Sequence, residues 1–206
     1  MTTSYITRVA AISMLLLLGA CATSPPSDVS NICSMFREKR GWYGDAEDAA
    51  DKWGSPIPVL MAIMHQESRF RATAKPPRKK ILWVIPGPRP SSSYGYTQAL
   101  EETWDVYIRD SGNYGADRDE FDDAVDFVGW YNHQSKKRSG IRKDDAYNLY
   151  LAYHEGHGGF NKRSFRNKAW LKKVAKKVSI NANRYTEQLK SCKGEFNQTK
   201  WFFGLF

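Results

Sequence analysis

The chain has 206 residues, 41% of them hydrophobic, enough for one domain with a sizeable core and not obviously enough for two. Its formal charge is +9, a balance that would raise nucleic acid as a partner if the chain stayed in the cytoplasm. Where the chain is sent therefore has to be read first.

At the N-terminus Arg8 precedes the apolar run VAAISMLLLLGA, which ends in small residues directly before Cys21. Residues 1–20 have the form of a signal peptide, since a run of about a dozen residues falls short of the roughly 20 that span a bilayer. Residues 21–30, CATSPPSDVS, read as a flexible polar tether, and residues 31–206 as the folded domain. The stretch LLGAC resembles the lipobox of bacterial lipoproteins. That resemblance implies cleavage before Cys21 and acylation of this cysteine as a membrane anchor. With Ala22 rather than aspartate beside it, it also implies the periplasmic face of the outer membrane. A plain secretory signal with an incidental cysteine is the alternative.

Arg8 is the only charged residue in 1–20, so the exported chain keeps +8. The polyanions at hand are then cell-wall peptides and lipid headgroups, and no nucleic acid is expected. Setting Cys21 aside leaves Cys33 and Cys192, an even pair bound for an oxidising compartment. They are expected to form a disulfide that clips the start of the domain to its end, with two free buried thiols as the alternative.

Helical signals dominate the rest. A first helix is expected near NICSMFREKR and a second over DAEDAADKW, stopped by Gly54. In WGSPIPVLMAIMHQESRF, Ser55 can cap, the prolines sit at the start, and apolar residues recur at Val59, Leu60, Ile63 and Met64. The next position on that face is Glu67. A carboxylate on an apolar stripe is costly unless it is paired, neutralised or put to use; a structural ion pair with a neighbouring arginine is the plain alternative to a catalytic role.

Five prolines between Pro76 and Pro90 break the helical pattern, so residues 75–93 are an insertion, either a proline-rich loop or a short β-hairpin built on ILWVI. Further helices are expected near LEETWDVYIRD, DEFDDAVDFVGWYNHQS and DDAYNLYLAYHEG, the last begun by Asp144 or Asp145 and stopped by Gly156. In KAWLKKVAKKVSINANRY, Leu171, Val174, Ala175 and Val178 share one face, and Lys172, Lys173, Lys176 and Lys177 the other. The basic face is either simply solvated or rests on an anionic wall or membrane. The tail WFFGLF is too short for an anchor and is expected to pack on the domain.

The sequence HEGHGGF suggests zinc, but H-E-x-x-H needs histidines four apart, whereas His154 and His157 are three apart with Gly156 between them. No metal or cofactor is expected. No strand-turn-helix elbow supports a nucleophilic serine, and the glycines lack phosphate-loop spacing.

Glu67-Ser68, then YGYTQA at 94–99, then LAYHEGHGG at 151–159 resemble, in this order, the motifs of SLT-type lytic transglycosylases, relatives of goose-type lysozyme. DFVGWY, Asp126 to Tyr131, resembles the family's Asn-Ile-x-x-Gly helix more loosely. The resemblance spans about residues 50–185. It implies a mostly α, lysozyme-like domain that cleaves the MurNAc-GlcNAc bond of peptidoglycan glycan strands and leaves 1,6-anhydro ends. Glu67 is implied as general acid and base. Ser68, Gly95, Tyr96, Gln98, Tyr153 and His154 are implied along the groove, with Tyr153 holding Glu67 by its hydroxyl. Departures are His154 for the family's asparagine, Tyr96-Thr97 for Leu-Met, and the length of the insertion, where Trp83 with Arg78, Lys79 and Lys80 either extends the groove toward acidic peptides or forms a plain surface hairpin. The aromatic fraction of 14% suits stacking on sugars as well as core packing. A monomer is expected. Two alternatives stay open: a hydrolytic lysozyme of the same fold, using Asp105 or Asp126 for water, and a wall-binding lipoprotein without catalysis.

Overall fold

Asn31 opens the first helix by accepting the amide of Ser34 on its side chain at 3.2 Å, the usual cap for an otherwise unpaired N–H. In this computed structural model, which describes residues 24–78, 80, 81 and 85–203 and the side chains among them except 80, 81, 85, 86 and 197–203, seven helices follow in chain order. They are α1 (Ile32–Glu38), α2 (Trp42–Trp53), α3 (Ile57–Ser68), α4 (Glu101–Ser111), α5 (Phe121–Ser139), α6 (Ala146–Asn161) and α7 (Ala169–Phe203). In the insertion, Lys80–Ile81 and Ile85–Pro86 form two short antiparallel strands. The signal segment, Cys21, Lys79 and Trp83 lie outside the described residues, as do the side chains of the tail.

The central element is α3. Every residue from Ile57 to Met64 is buried, because α7, α5, α2 and α6 surround it. An apolar stripe of four residues was too narrow a reading: Pro58, Met61 and Ala62 are buried as well, as suits a helix covered on all sides. Ser55 does not cap it. Its hydroxyl instead accepts from Asn132 Nδ2 at 2.9 Å and donates to the Lys143 carbonyl, since Pro56 takes the cap position.

Helices α2 and α5 pack face to face where Gly129 lies against Trp53. A Cβ on residue 129 would stand 2.6 Å from Trp53 Cδ1, so only glycine lets the helices come this close. Gly129→Ala is expected to cost about 1–3 kcal/mol by overpacking, read as a lower urea midpoint at unchanged slope. Trp42 of α2 stacks on Phe121 of α5 with centroids 3.8 Å apart, and Tyr96 meets both edge-on.

Among the described side chains of α7 the buried apolar positions are Leu171, Ala175, Val178, Ala182, Tyr185, Leu189, Cys192 and Phe196, an alternation of four and three that makes a narrow seam. The lysines 172, 173, 176 and 177 face outward, and Val174 is only partly buried. Near the end of this seam Cys192 forms a disulfide with Cys33 of α1. Residues 26–30, read from sequence as part of the tether, lie against the domain: Pro26 is buried, Ser27 bonds Glu38, and the carbonyls of Val29 and Ser30 accept from Tyr185 and Gln188. A short polar run says nothing of such docking, because its partners come from α1 and α7.

Candidate active site

Glu67 lies in the last turn of α3, just before Ser68. Immediately after it the backbone takes two successive left-handed residues, Arg69 (φ 54°) and Phe70 (φ 59°), a rare conformation for large side chains. Full burial of Phe70 and a bond from Arg71 Nε to the Ser68 carbonyl at 3.0 Å hold the turn, which ends the helix with Glu67 facing a cleft.

That cleft encloses about 620 Å³ and is lined by Glu67, the loop residues Ser91, Ser93 and Gln98–Leu100, Thr103 of α4, Phe127 and Tyr131 of α5, and Tyr153–Gly156 of α6. A second depression of about 320 Å³ shares Thr103, Tyr131 and Gly156 with it. The two make a continuous groove suited to a polymer rather than to a single small ligand.

Glu67 is partly reachable from the cleft but otherwise enclosed by protein. Burial penalises its charged form and pushes its pKa up to about 7, while a hydrogen bond from Tyr150 favours the carboxylate and acts the other way. Tyr150 is the partner that sequence reading missed. It precedes Tyr153 by three residues on α6 and so shares its face, a signal that was present in the sequence. The hydroxyl of Tyr153, expected on Glu67, instead donates to the Thr97 carbonyl at 2.7 Å, although its ring stands close enough for Glu67 to bear on its ionisation. Removing the Tyr150 hydroxyl in Tyr150→Phe raises the Glu67 pKa further, so any activity that needs protonated Glu67 is expected to extend to higher pH, read as an alkaline shift in kcat/KM.

The 94–99 loop is held by its own backbone requirements. Gly95 has φ 77°, and a Cβ there would stand 1.9 Å from the Arg118 carbonyl. Gln98 is also left-handed at φ 52°, and its amide donates to the carbonyls of Ala74 and Gly95, both at 2.9 Å. Gln98 lines the cleft; Gly95 and Tyr96 do not. Tyr96 is buried between Trp42 and Phe121 and anchors the loop to the core. Ser68 is likewise buried and does not line the cleft, and its hydroxyl has no hydrogen-bond partner among the described residues.

His154 lines the cleft, and its ring makes a T-shaped contact with that of exposed Trp170, centroids 5.1 Å apart. Its Nδ1 is 3.0 Å from Glu155. Glu155, weighed from sequence only as part of a zinc pattern, is a second carboxylate in the same cleft. Desolvation raises its pKa, but hydrogen bonds from Lys168 (2.8 and 2.9 Å), Ser164 and His154 outweigh this and hold it down at about 2. Gly156 breaks α6 as its pattern predicts: with φ 71° and ψ 159° it ends the first helical stretch at a bend, and a second stretch follows to Asn161. Beyond the bend His157 stacks on Tyr131 and bonds Ser135 at 3.0 Å, so the two histidines serve different surroundings.

The carboxylates considered for a hydrolase lie elsewhere. Asp126 accepts from Trp53 Nε1 and Tyr107, both at 2.8 Å, and pairs with Lys52. Asp105 is exposed, and neither lines the cleft.

A helical domain whose central helix delivers an enclosed acid to an open groove has the plan of the lysozyme-like proteins. Residues 9–192 match the family model described as Transglycosylase SLT domain, and the chain belongs to this family of SLT-type lytic transglycosylases. Membership implies peptidoglycan as the substrate class. No curated protein sequence matches the chain.

Proposed function

We propose that the protein cleaves the MurNAc-(β1,4)-GlcNAc bond of peptidoglycan by transglycosylation, with Glu67 as both general acid and general base. The observation that carries this reading is a carboxyl group in the groove that burial brings to a pKa of about 7. A glycosidic oxygen leaves poorly unless it is protonated, and a group with pKa near the working pH can give a proton and take one back.

Glu67 protonates the glycosidic oxygen as the bond to MurNAc C1 breaks, and the substrate's own N-acetyl group stabilises the cationic centre. The C6 hydroxyl oxygen then bonds to C1, and its proton passes to Glu67. The acid is restored, no water is consumed, and the product carries a 1,6-anhydro ring. Gln98, Tyr131, Tyr153 and His154 line the path of the sugars, and exposed Trp170 stands beside His154, a ring suited to stacking on a sugar.

A hydrolytic reading has one observation in its favour, Glu155 held ionised in the same cleft as a neutral-leaning Glu67. Yet its oxygens are engaged by Lys168, Ser164 and His154, which suits a group that positions His154 better than one that activates water. The proposal extends to location: Cys21 is acylated after signal cleavage, and the domain works from the outer membrane in the periplasm, where a Cys33–Cys192 disulfide persists.

Mass spectrometry of muropeptides released from purified sacculi tests the reaction. Anhydro products, lighter by one water than their reducing counterparts, are the expected result. Reducing ends would establish hydrolysis, and release of nothing by the folded protein would leave a wall-binding module.

A further inference from the structure

Of the two carboxylates that line the cleft, Glu155 takes no part in the reaction proposed above. Its side chain is only 4% exposed, and it closes a knot between segments on either side of the Gly156 bend. Lys168 Nζ donates to both of its oxygens, at 2.8 and 2.9 Å, while His154 Nδ1 meets Oε1 and Ser164 Oγ donates to Oε2. Gly159 makes room for this approach: a Cβ there would stand 3.0 Å from Ser164 Oγ and 3.2 Å from Glu155 Cβ. The knot therefore ties the last residue before the bend to the connection after α6 and to the residue that precedes α7.

Two rings of the groove depend on it. An ionised carboxylate only accepts, so Nδ1 of His154 carries a proton, and in the neutral ring Nε2 is left as an acceptor for a sugar hydroxyl. Trp170 follows Lys168 by two residues, is 56% exposed, and meets the His154 ring at 77°. It does not itself line the cleft, so a sugar lying on it is one beyond those that the cleft holds. Resting on the reading that the groove holds a glycan, we propose that Glu155 is a positioning residue. Through Lys168 and its own bond to His154 it holds His154 and Trp170 as a two-ring rim that grips a sugar away from the scissile bond and favours long strands over short ones. Contacts so far from the reacting atoms are the same in the ground and transition states, so they act on KM and leave kcat nearly alone.

The test follows the full chain on soluble, uncrosslinked peptidoglycan strands sorted by length, with kcat and KM measured for each. Glu155→Gln keeps the shape of the side chain and leaves Lys168, itself 41% exposed, within reach of water; thermal melts confirm folding. The variant is expected to raise KM about tenfold on long strands and about twofold on strands of two disaccharides, with kcat within about threefold of the parent. Trp170→Ala is expected to show the same dependence on length. Adding Glu155→Gln to His154→Ala/Trp170→Ala is expected to raise KM no further, since the rings through which it acts are gone. Lys168→Met reproduces Glu155→Gln, and Lys168→Arg, which keeps a donor fork for the carboxylate, restores most of the parent KM. An unmoved KM in folded Glu155→Gln, an effect equal at every length, or an undiminished effect on top of His154→Ala/Trp170→Ala would overturn the positioning role and spare the proposed function. A fall in kcat at constant KM would overturn it as well, by making Glu155 a participant in the chemistry. Cleavage of no strand by the parent would overturn both readings.

Discussion

Glu67→Gln is expected to lower kcat/KM on sacculi by about 10²–10⁴-fold, the range for loss of a general acid, with KM changed far less than kcat. The substitution keeps the shape of the side chain and its capacity to accept from Tyr150, so the groove persists and only the transferable proton is lost. A second readout separates this from a merely structural role. Burial holds the folded-state pKa of Glu67 at about 7, above its ordinary 4.5. Between those values the folded protein binds the proton more tightly than the unfolded chain, so stability falls as pH rises through the window and levels off above it. The enclosed carboxylate then costs about 3 kcal/mol at pH 8 by this linkage. Glu67→Gln removes the term. Urea unfolding at pH 5 and pH 8 is therefore expected to show the variant gaining on the parent at the higher pH, a stability gain that accompanies the loss of activity. A variant less stable than the parent at pH 8 would refute the picture of a strained, buried acid.

Removal of the Cys33–Cys192 disulfide is expected to cost about 2–5 kcal/mol, a large part of the roughly 5–15 kcal/mol that holds a domain folded. The bridge spans a sequence separation of 159 residues, so without it the unfolded chain regains the freedom of a very long loop. It is also a main tie of α1 to the rest, alongside the Arg37–Glu195 pair and the contact of Phe36 with Phe196. Cys33→Ser/Cys192→Ser, followed by urea unfolding, gives the cost directly. Because α3, α5 and α6 carry the site and pack around Leu60, Ile63 and Phe127, activity of the folded fraction at low temperature is expected to survive. Loss of activity without loss of stability would mean that α1 bears on the groove.

The helices and the acid were legible in the sequence because both obey local rules. Apolar periodicity located α3 and placed Glu67 on its buried side, and the Glu-Ser, Gly-Tyr-Thr-Gln and Ala-Tyr-His-Glu-Gly segments together pointed to the family. The same rules misjudged details in which one element answers another. Ser55 follows the pattern of a cap, yet Asn132, 77 residues away, takes up its hydroxyl. Gly156 does stop the helix as its pattern predicts, but nothing local announces the second helical stretch that follows to Asn161.

By itself the sequence determined the class of fold, the carboxylate in need of an explanation and the pair of cysteines, since each follows from residue type and spacing along one chain. Only the tertiary structure decided who touches whom. It turned the Tyr153 hydroxyl to Thr97 and gave Glu67 to Tyr150, paired Glu155 with Lys168, withdrew Ser68 and Tyr96 from the groove, and set Lys75 and Arg118 against the Tyr94 ring. Hydrogen bonds and burial depend on distances between segments remote in sequence, and those distances exist only once the helices have packed.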